Sequence, residues 1–165
     1  MYESDRLILR ELRLEDAESF FLLNEDPEVL KYTGDLPFKS IESAREFLEN
    51  YDHYQKYGFG RWAVILKENN SFIGWCGLKY SIEKDEVDIG FRFFQKYWNK
   101  GYASEAASFC IKIGQEKFKI KLIMGRAMKA NRASIKVLQK IGLHYDRDFD
   151  FEGNDGVIYR VKFEE

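Results

Sequence analysis

Residues 86–118 carry two different periodicities in succession, and the join between them limits the folds open to this chain. Val87, Ile89, Phe91 and Phe93 alternate with Glu86, Asp88, Gly90 and Arg92, the period of two of a strand with one apolar face. After a turn around Phe94 to Asn99 the period becomes helical, from about Gly101 to Phe118. Ala103, Ala106, Ala107, Cys110 and Gly114 keep helical spacing and are all small, so this helix can lie close against a sheet. Gly90 sits mid-strand, where glycine weakens pairing and marks a bulge or a close backbone approach.

The flanking segments supply the rest of a sheet and its cover. Leu7 to Leu12 reads as a strand, and Glu15 to Asn24 as a short helix with Ala17, Phe20, Phe21 and Leu22/Leu23 on one side. Ser40 or Ser43 caps a longer helix to about Tyr57; Ser43 has Glu46 at capping-box spacing, and Gly58-Phe59-Gly60 ends the helix. Arg61 to Lys67 and Phe72 to Tyr80 form a hairpin about Asn69-Asn70-Ser71. Lys121 to Lys129 is strand-like, and Asn131 to Ile141 is a helix with Ile135, Leu138 and Ile141 on one face and Gly142 as its stop. Two last strands, Leu143 to Phe149 and Val157 to Phe163, flank a turn at Glu152 to Gly156. This order predicts an α+β (mixed α/β) fold with antiparallel hairpins dominating its first half. With 165 residues and no repeat, linker or low-complexity tract, residues 1–165 read as one domain.

Charge and cysteine usage narrow the function. Twenty-six Lys and Arg against 28 Asp and Glu leave a net charge of −2, the wrong sign for a nucleic-acid footprint. Cys76 and Cys110 each lie in an apolar stretch and read as buried filler. The opening Met1-Tyr2-Glu3-Ser4-Asp5-Arg6 has no signal-segment pattern, and no apolar run nears the roughly 20 residues that span a bilayer. The expected setting is cytoplasmic and reducing. His53 and His144 read as structural or solvated, Tyr51, Tyr54 and Tyr57 as half core and half surface. No cluster has metal-ligand spacing.

The chemistry concentrates in Trp98-Asn99-Lys100-Gly101-Tyr102-Ala103-Ser104-Glu105-Ala106. A strand ends, the chain turns, and a helix begins at a glycine. Free N–H groups and the positive end of the helix dipole make such a start an anion site. Gly101 lets backbone approach, Ala103 leaves room, Ser104 adds a hydroxyl and Lys100 a charge. The pattern is neither G-x-x-x-x-G-K-[ST] nor G-x-G-x-x-G. A second helix opens at Asn131-Arg132-Ala133-Ser134, with Asn131 as N-cap and Ser134 at the third position.

Together with Asp5 to Arg10, Phe72 to Leu78, Asp88 to Phe91 and Asn131 to Leu143, this loop resembles the GNAT superfamily of N-acetyltransferases. The closer resemblance is to its subgroup like the ribosomal-protein acetyltransferases RimJ and RimL. The resemblance implies a mixed, mostly antiparallel sheet that splays after the glycine-bearing strand, with acetyl-CoA in the split. The pantetheine arm would pair with the backbone of Phe91, Arg92 and Phe93. The pyrophosphate would sit on the N–H groups of Asn99, Lys100, Gly101, Tyr102, Ala103 and Ser104. Asn131 would touch the pantetheine or thioester, and Ser134 would face the sulfur. Trp98 and Asn99 depart from the superfamily's usual loop residues. Arg126 and Leu138 stand where RimI-type enzymes carry a catalytic Glu and Tyr, so that pair is absent.

Amide formation from a thioester needs a neutral amine, a polarised carbonyl and a protonated leaving thiol. Asp88, on the polar face of the glycine-bearing strand with Glu86, is the expected direct or water-mediated base. Ser134 is the expected donor to the thiolate. The partners expected are acetyl-CoA and an amine, on a protein N-terminus or a small molecule, with neither nucleic acid nor membrane and a homodimer left open. A non-catalytic CoA-binding module is the third alternative.

Overall fold

The computed structural model describes residues 1–164. In chain order it contains β1 (Tyr2–Glu3), β2 (Leu7–Glu11), α1 (Ala17–Leu23), α2 (Pro27–Leu30), α3 (Ile41–Glu49), α4 (His53–Tyr57), β3 (Arg61–Leu66), β4 (Ser71–Ser81) and β5 (Glu86–Phe93). There follow α5 (Tyr102–Glu116), β6 (Leu122–Met128), α6 (Arg132–Lys140), β7 (His144–Phe151) and β8 (Asn154–Lys162). The strands form one sheet of eight in the order β1-β2-β3-β4-β5-β6-β8-β7. Every pairing is antiparallel except β5 with β6.

That exception positions the site. β5 pairs with β4 along its whole length, from Glu86 to Phe93. Its parallel pairing with β6 is confined to Val87↔Ile123 and Asp88↔Met124. Beyond Asp88 the two strands part, and the β6-side edge of Ile89 to Phe93 is left without a strand partner. The expected splay is therefore present.

One sheet face is covered by α5 and α6, which bury Ala106, Ala107, Cys110 and Leu138 against Leu9, Val64, Ile73, Leu78 and Ile89. Small residues make this fit: a Cβ on Gly114 would stand 2.8 Å from Leu78 Cδ1. Ala103 is only partly buried: it packs at the edge of this cluster and also lines the site. The opposite face carries a smaller cluster of Ala17, Phe20, Ala44 and Leu48 from α1 and α3, with Phe72 and Trp75 against it. Cys76 and Cys110 are free, buried filler with sulfurs 3.7 Å apart, and burial pushes the Cys110 thiol up. No helix among the described residues is long and apolar enough to cross a membrane.

Several local readings need correction. The helix expected to run to Tyr57 is two helices, broken at Asn50 to Asp52. Ser40 is the cap of α3, accepting from Ser43 N–H, so Ser43 lies inside the first turn. α2 was not legible: Asp26 accepts from Glu28 N–H and Pro27 takes the first helical position, which needs no donor. The last hairpin turns on Glu152 and Gly153 alone, both at positive φ, because Asn154 to Gly156 extend β8. Gly90 does not mark a bulge. A Cβ there would lie 2.7 Å from Arg61 Cζ, so the close approach is by a side chain from β3.

Candidate active site

The turn after β5 places an unusual backbone at the edge of the split. The Trp98 indole N–H donates to the Phe93 carbonyl at 2.8 Å and pins the loop to the end of the strand. Asn99 and Gly101 both take positive φ, +62° and +82°. Asn tolerates this region better than most residues, which is how the loop does without a glycine at Asn99. Gly101 is the N-cap of α5 and offers no side-chain cap; the first intrahelical acceptor bond is Glu105 N–H to Gly101 C=O, 3.0 Å. The N–H groups of Tyr102, Ala103 and Ser104 thus lack helical partners and lie at the positive end of the helix dipole.

Across the split, Asn131 Oδ1 accepts from Ser134 N–H at 3.2 Å, so the capping reading of Asn131 is realised. The Asn131 carboxamide nitrogen and the Ser134 hydroxyl remain available to a ligand. Between the walls lies a groove of about 740 Å³, within the range of small-molecule and cofactor sites. Phe91, Arg92, Phe93, Asn99, Gly101, Tyr102, Ala103, Ser104, Asn131 and Ser134 all line it. Lys100 does not: its carbonyl accepts from Arg6 at 2.9 Å, and the exposed side chain lies outside the wall. The remaining wall comes from α2 and its following turn, including Tyr32 and Thr33, and from the charged side of α6. Those two contributions were missed; the four-residue spacing of Arg132, Lys136 and Lys140 was the available signal.

Arg6 anchors the loop from behind. Its Nε donates to Glu105 Oε1 at 2.7 Å, and its guanidinium lies 4.4 Å from the centre of the Tyr102 ring. Burial alone would raise the Glu105 carboxyl, but bonds from the Ser4 hydroxyl, the Arg6 N–H and the Arg6 guanidinium hold it below the usual range.

Asp88 lies outside the groove wall, in a ladder of charges crossing three strands. Its Oδ1 accepts from Arg61 Nη2 at 2.8 Å, and its Oδ2 lies 3.9 Å from Arg126 Nη1. Arg126 also pairs with Glu86. The ladder spans the point where β5 and β6 separate. Arg92, on the same strand face, donates to Asn24 Oδ1 and Asp35 Oδ2 and so ties the segment after α1 to the groove floor. His53 accepts from Tyr80 N–H at 3.0 Å, and burial holds it below its usual range, which makes it structural as expected. His144 is exposed. Among the described residues no group of His, Cys, Asp or Glu is placed to hold a metal ion.

A helix start with uncapped amides, facing an open strand edge across a deep groove, is built for an extended anionic ligand. Comparison with known proteins agrees. A family model described as the acetyltransferase (GNAT) domain matches residues 6–144. The uncharacterised N-acetyltransferase p20 of Bacillus licheniformis is 31% identical over 152 residues, spanning 89% of this chain and 85% of its own length. The crystal structure of a GNAT-family acetyltransferase from Bacillus anthracis superposes with a TM-score of 0.83 at 28% identity, covering 97% of this chain and 96% of that one. Spermidine N-acetyltransferase from Vibrio cholerae, solved with CoA and spermine, shares the fold with a TM-score of 0.83 at 15% identity over 96% of each chain. The chain belongs to the GNAT family and is an acetyltransferase.

Proposed function

We propose that this enzyme is an acetyl-CoA-dependent N-acetyltransferase that acts on a primary amine by direct attack in a ternary complex. The observation that carries this reading is the groove, with the unpaired edge of Phe91 to Phe93 on one wall and the uncapped amides of Tyr102 to Ser104 on another. The edge suits the amides of a pantetheine arm, and the helix start suits a pyrophosphate. When bound, acetyl-CoA supplies an acetyl group activated as a thioester.

The protein's own contribution is positioning and proton handling. Backbone N–H groups on the open edge of β5 polarise the acetyl carbonyl. The Ser134 hydroxyl delivers a proton to the departing sulfur. Asp88 takes the proton released by the ammonium through water, since it stands outside the wall and Arg61 holds Oδ1 by a hydrogen bond; Oδ2, which faces Arg126 at 3.9 Å without a hydrogen bond, is the oxygen left for the task.

Turnover with acetyl-CoA against a panel of small amines and N-terminal peptides tests the reading and identifies the acceptor. Ser134→Ala is expected to lower kcat by about 10²–10⁴-fold while leaving acetyl-CoA affinity nearly unchanged. An unchanged kcat with a lowered melting temperature would assign the hydroxyl to structure alone. Asp88→Asn is expected to lose rate at neutral pH and regain it as the acceptor supplies its own neutral form. That recovery comes near pH 8 for an α-amine and above about pH 10 for an alkyl amine. A rate unchanged across this range would remove Asp88 from the mechanism.

A further inference from the structure

Arg61 begins β3, yet its charge is delivered two strands away. In the sheet Arg61, Gly77 and Gly90 stand in one row, as Cα partners across β3, β4 and β5. Neither glycine puts a side chain in the row, so the Arg61 side chain can lie over both and reach β5. Gly77 has a backbone reason to be glycine, since a Cβ there would stand 2.1 Å from the Gly60 carbonyl oxygen. Gly90 has none: the three atoms nearest a Cβ there all belong to the Arg61 guanidinium, the closest at 2.7 Å. Glycine weakens a strand interior, so this gap is held against the sheet's own preference.

Arg61 is fixed at both ends. Its backbone N–H donates to the Tyr51 hydroxyl at 2.8 Å, and its carbonyl accepts from the Tyr54 hydroxyl. At the far end Nη1 donates to the Gly77 carbonyl at 2.7 Å and to the Asp88 carbonyl at 3.2 Å. Nη2 donates to Asp88 Oδ1 at 2.8 Å, and the side chain is 17% exposed. The two main-chain acceptors set where the guanidinium lies, and the third bond then fixes which carboxylate oxygen is held. Oδ2 is left on the β6 side, 3.9 Å from Arg126 Nη1, at the end of the parallel pairing where β5 and β6 part. Without Arg61, Arg126 is the arginine left beside the carboxylate. Rotation of Asp88 onto it would engage the oxygen that water must reach.

Resting on the reading of Asp88 as the base, we propose that Arg61 is a positioning residue for acetyl transfer. Through the gap at Gly90 it holds Asp88 Oδ1 and keeps Oδ2 open to water. The acceptor nitrogen loses its proton to that water, which passes one to Oδ2. Arg61 neither gives nor takes a proton.

Steady-state kinetics with a polyamine, an amino sugar, an amino acid and an N-terminal peptide as acceptors, beside calorimetric titration with CoA, test this. Arg61→Gln is expected to lower kcat on the best acceptor by about 10–100-fold while CoA affinity stays within about twofold. Gly90→Ala keeps the charge but pushes the guanidinium aside; the displaced atoms end a flexible side chain, so the variant should fold and lose kcat in the same way. In an Asp88→Asn background neither substitution should lower kcat by more than about twofold further, because both act through the carboxylate. A merely structural ion pair would instead give losses that persist in that background. Such persistent losses, or an unchanged kcat in Gly90→Ala and Arg61→Gln while Asp88→Asn loses rate, would overturn the positioning role and leave Asp88 as the base. If Arg61→Gln does not fold, Gly90→Ala with and without Asp88→Asn decides between the same outcomes. An unchanged rate in Asp88→Asn, or no turnover of any acceptor, would overturn the underlying reading and this proposal with it.

Discussion

At the residue scale, the proposed site positions divide by how far away their partners lie in sequence. Gly101, Asn131 and Ser134 are legible because a helix start is local: the cap, the free amides and the third-position side chain all fall within a few residues. The structure adds that Gly101 sits at φ +82°, where a side chain costs about 1–2 kcal/mol before any clash. A Cβ there would also come within 3.3 Å of Arg6 Nη2. Gly101→Glu adds a negative charge at the anion site, so it is expected to abolish the thermal shift given by acetyl-CoA; a shift of wild-type size would locate the phosphates elsewhere. Asp88 was legible only as a polar residue on a strand face. Its engagement by Arg61 could not be read, because that partner comes from another strand.

At the element scale, the join between β5 and α5 is held by residues distant from both. Arg6, just before β2, donates to Glu105 in the first turn of α5 and to the Lys100 carbonyl. With its pKa held low in the fold, Glu105 contributes stability that is fully present above its unfolded value, about 4.3. That contribution is lost as pH falls through the lower folded value. Glu105→Gln is therefore expected to start less stable at neutral pH and to lose less of its melting temperature on acidification than wild type. Parallel melting profiles between pH 6 and 3 would count against the anchor. The long helix expected before Gly58 broke for a related reason. The Tyr51 N–H bonds three residues back, to the Leu48 carbonyl at 3.3 Å, and its hydroxyl accepts from Arg61 N–H while Tyr54 donates to the Arg61 carbonyl, so the segment is tied to the start of β3.

At the scale of the whole molecule, the proposed ligand site in the split between β5 and β6 would couple binding to folding. A ligand bridging the strand edge, α5 and α6 binds only the assembled fold. Acetyl-CoA at about a hundred times its dissociation constant is expected to stabilise the protein by about 2.7 kcal/mol. For a chain of this size that raises Tm by roughly 5–10 °C, readable by scanning calorimetry. No shift at millimolar acetyl-CoA would reject the co-substrate. The alternating apolar residues of β5, the small face of α5 and the caps of α5 and α6 determined by themselves that a strand, a turn opening on free helix amides and a closely packed helix follow one another, because periodicity and capping act over neighbouring residues. Only the tertiary structure decided which side of β5 stays open, which side chain Gly90 makes room for, and which carboxylates are bound by arginines. Those outcomes depend on strand order and register, where residues such as Arg61, Asp88 and Arg126 from three separate strands meet across a sheet that no local pattern encodes.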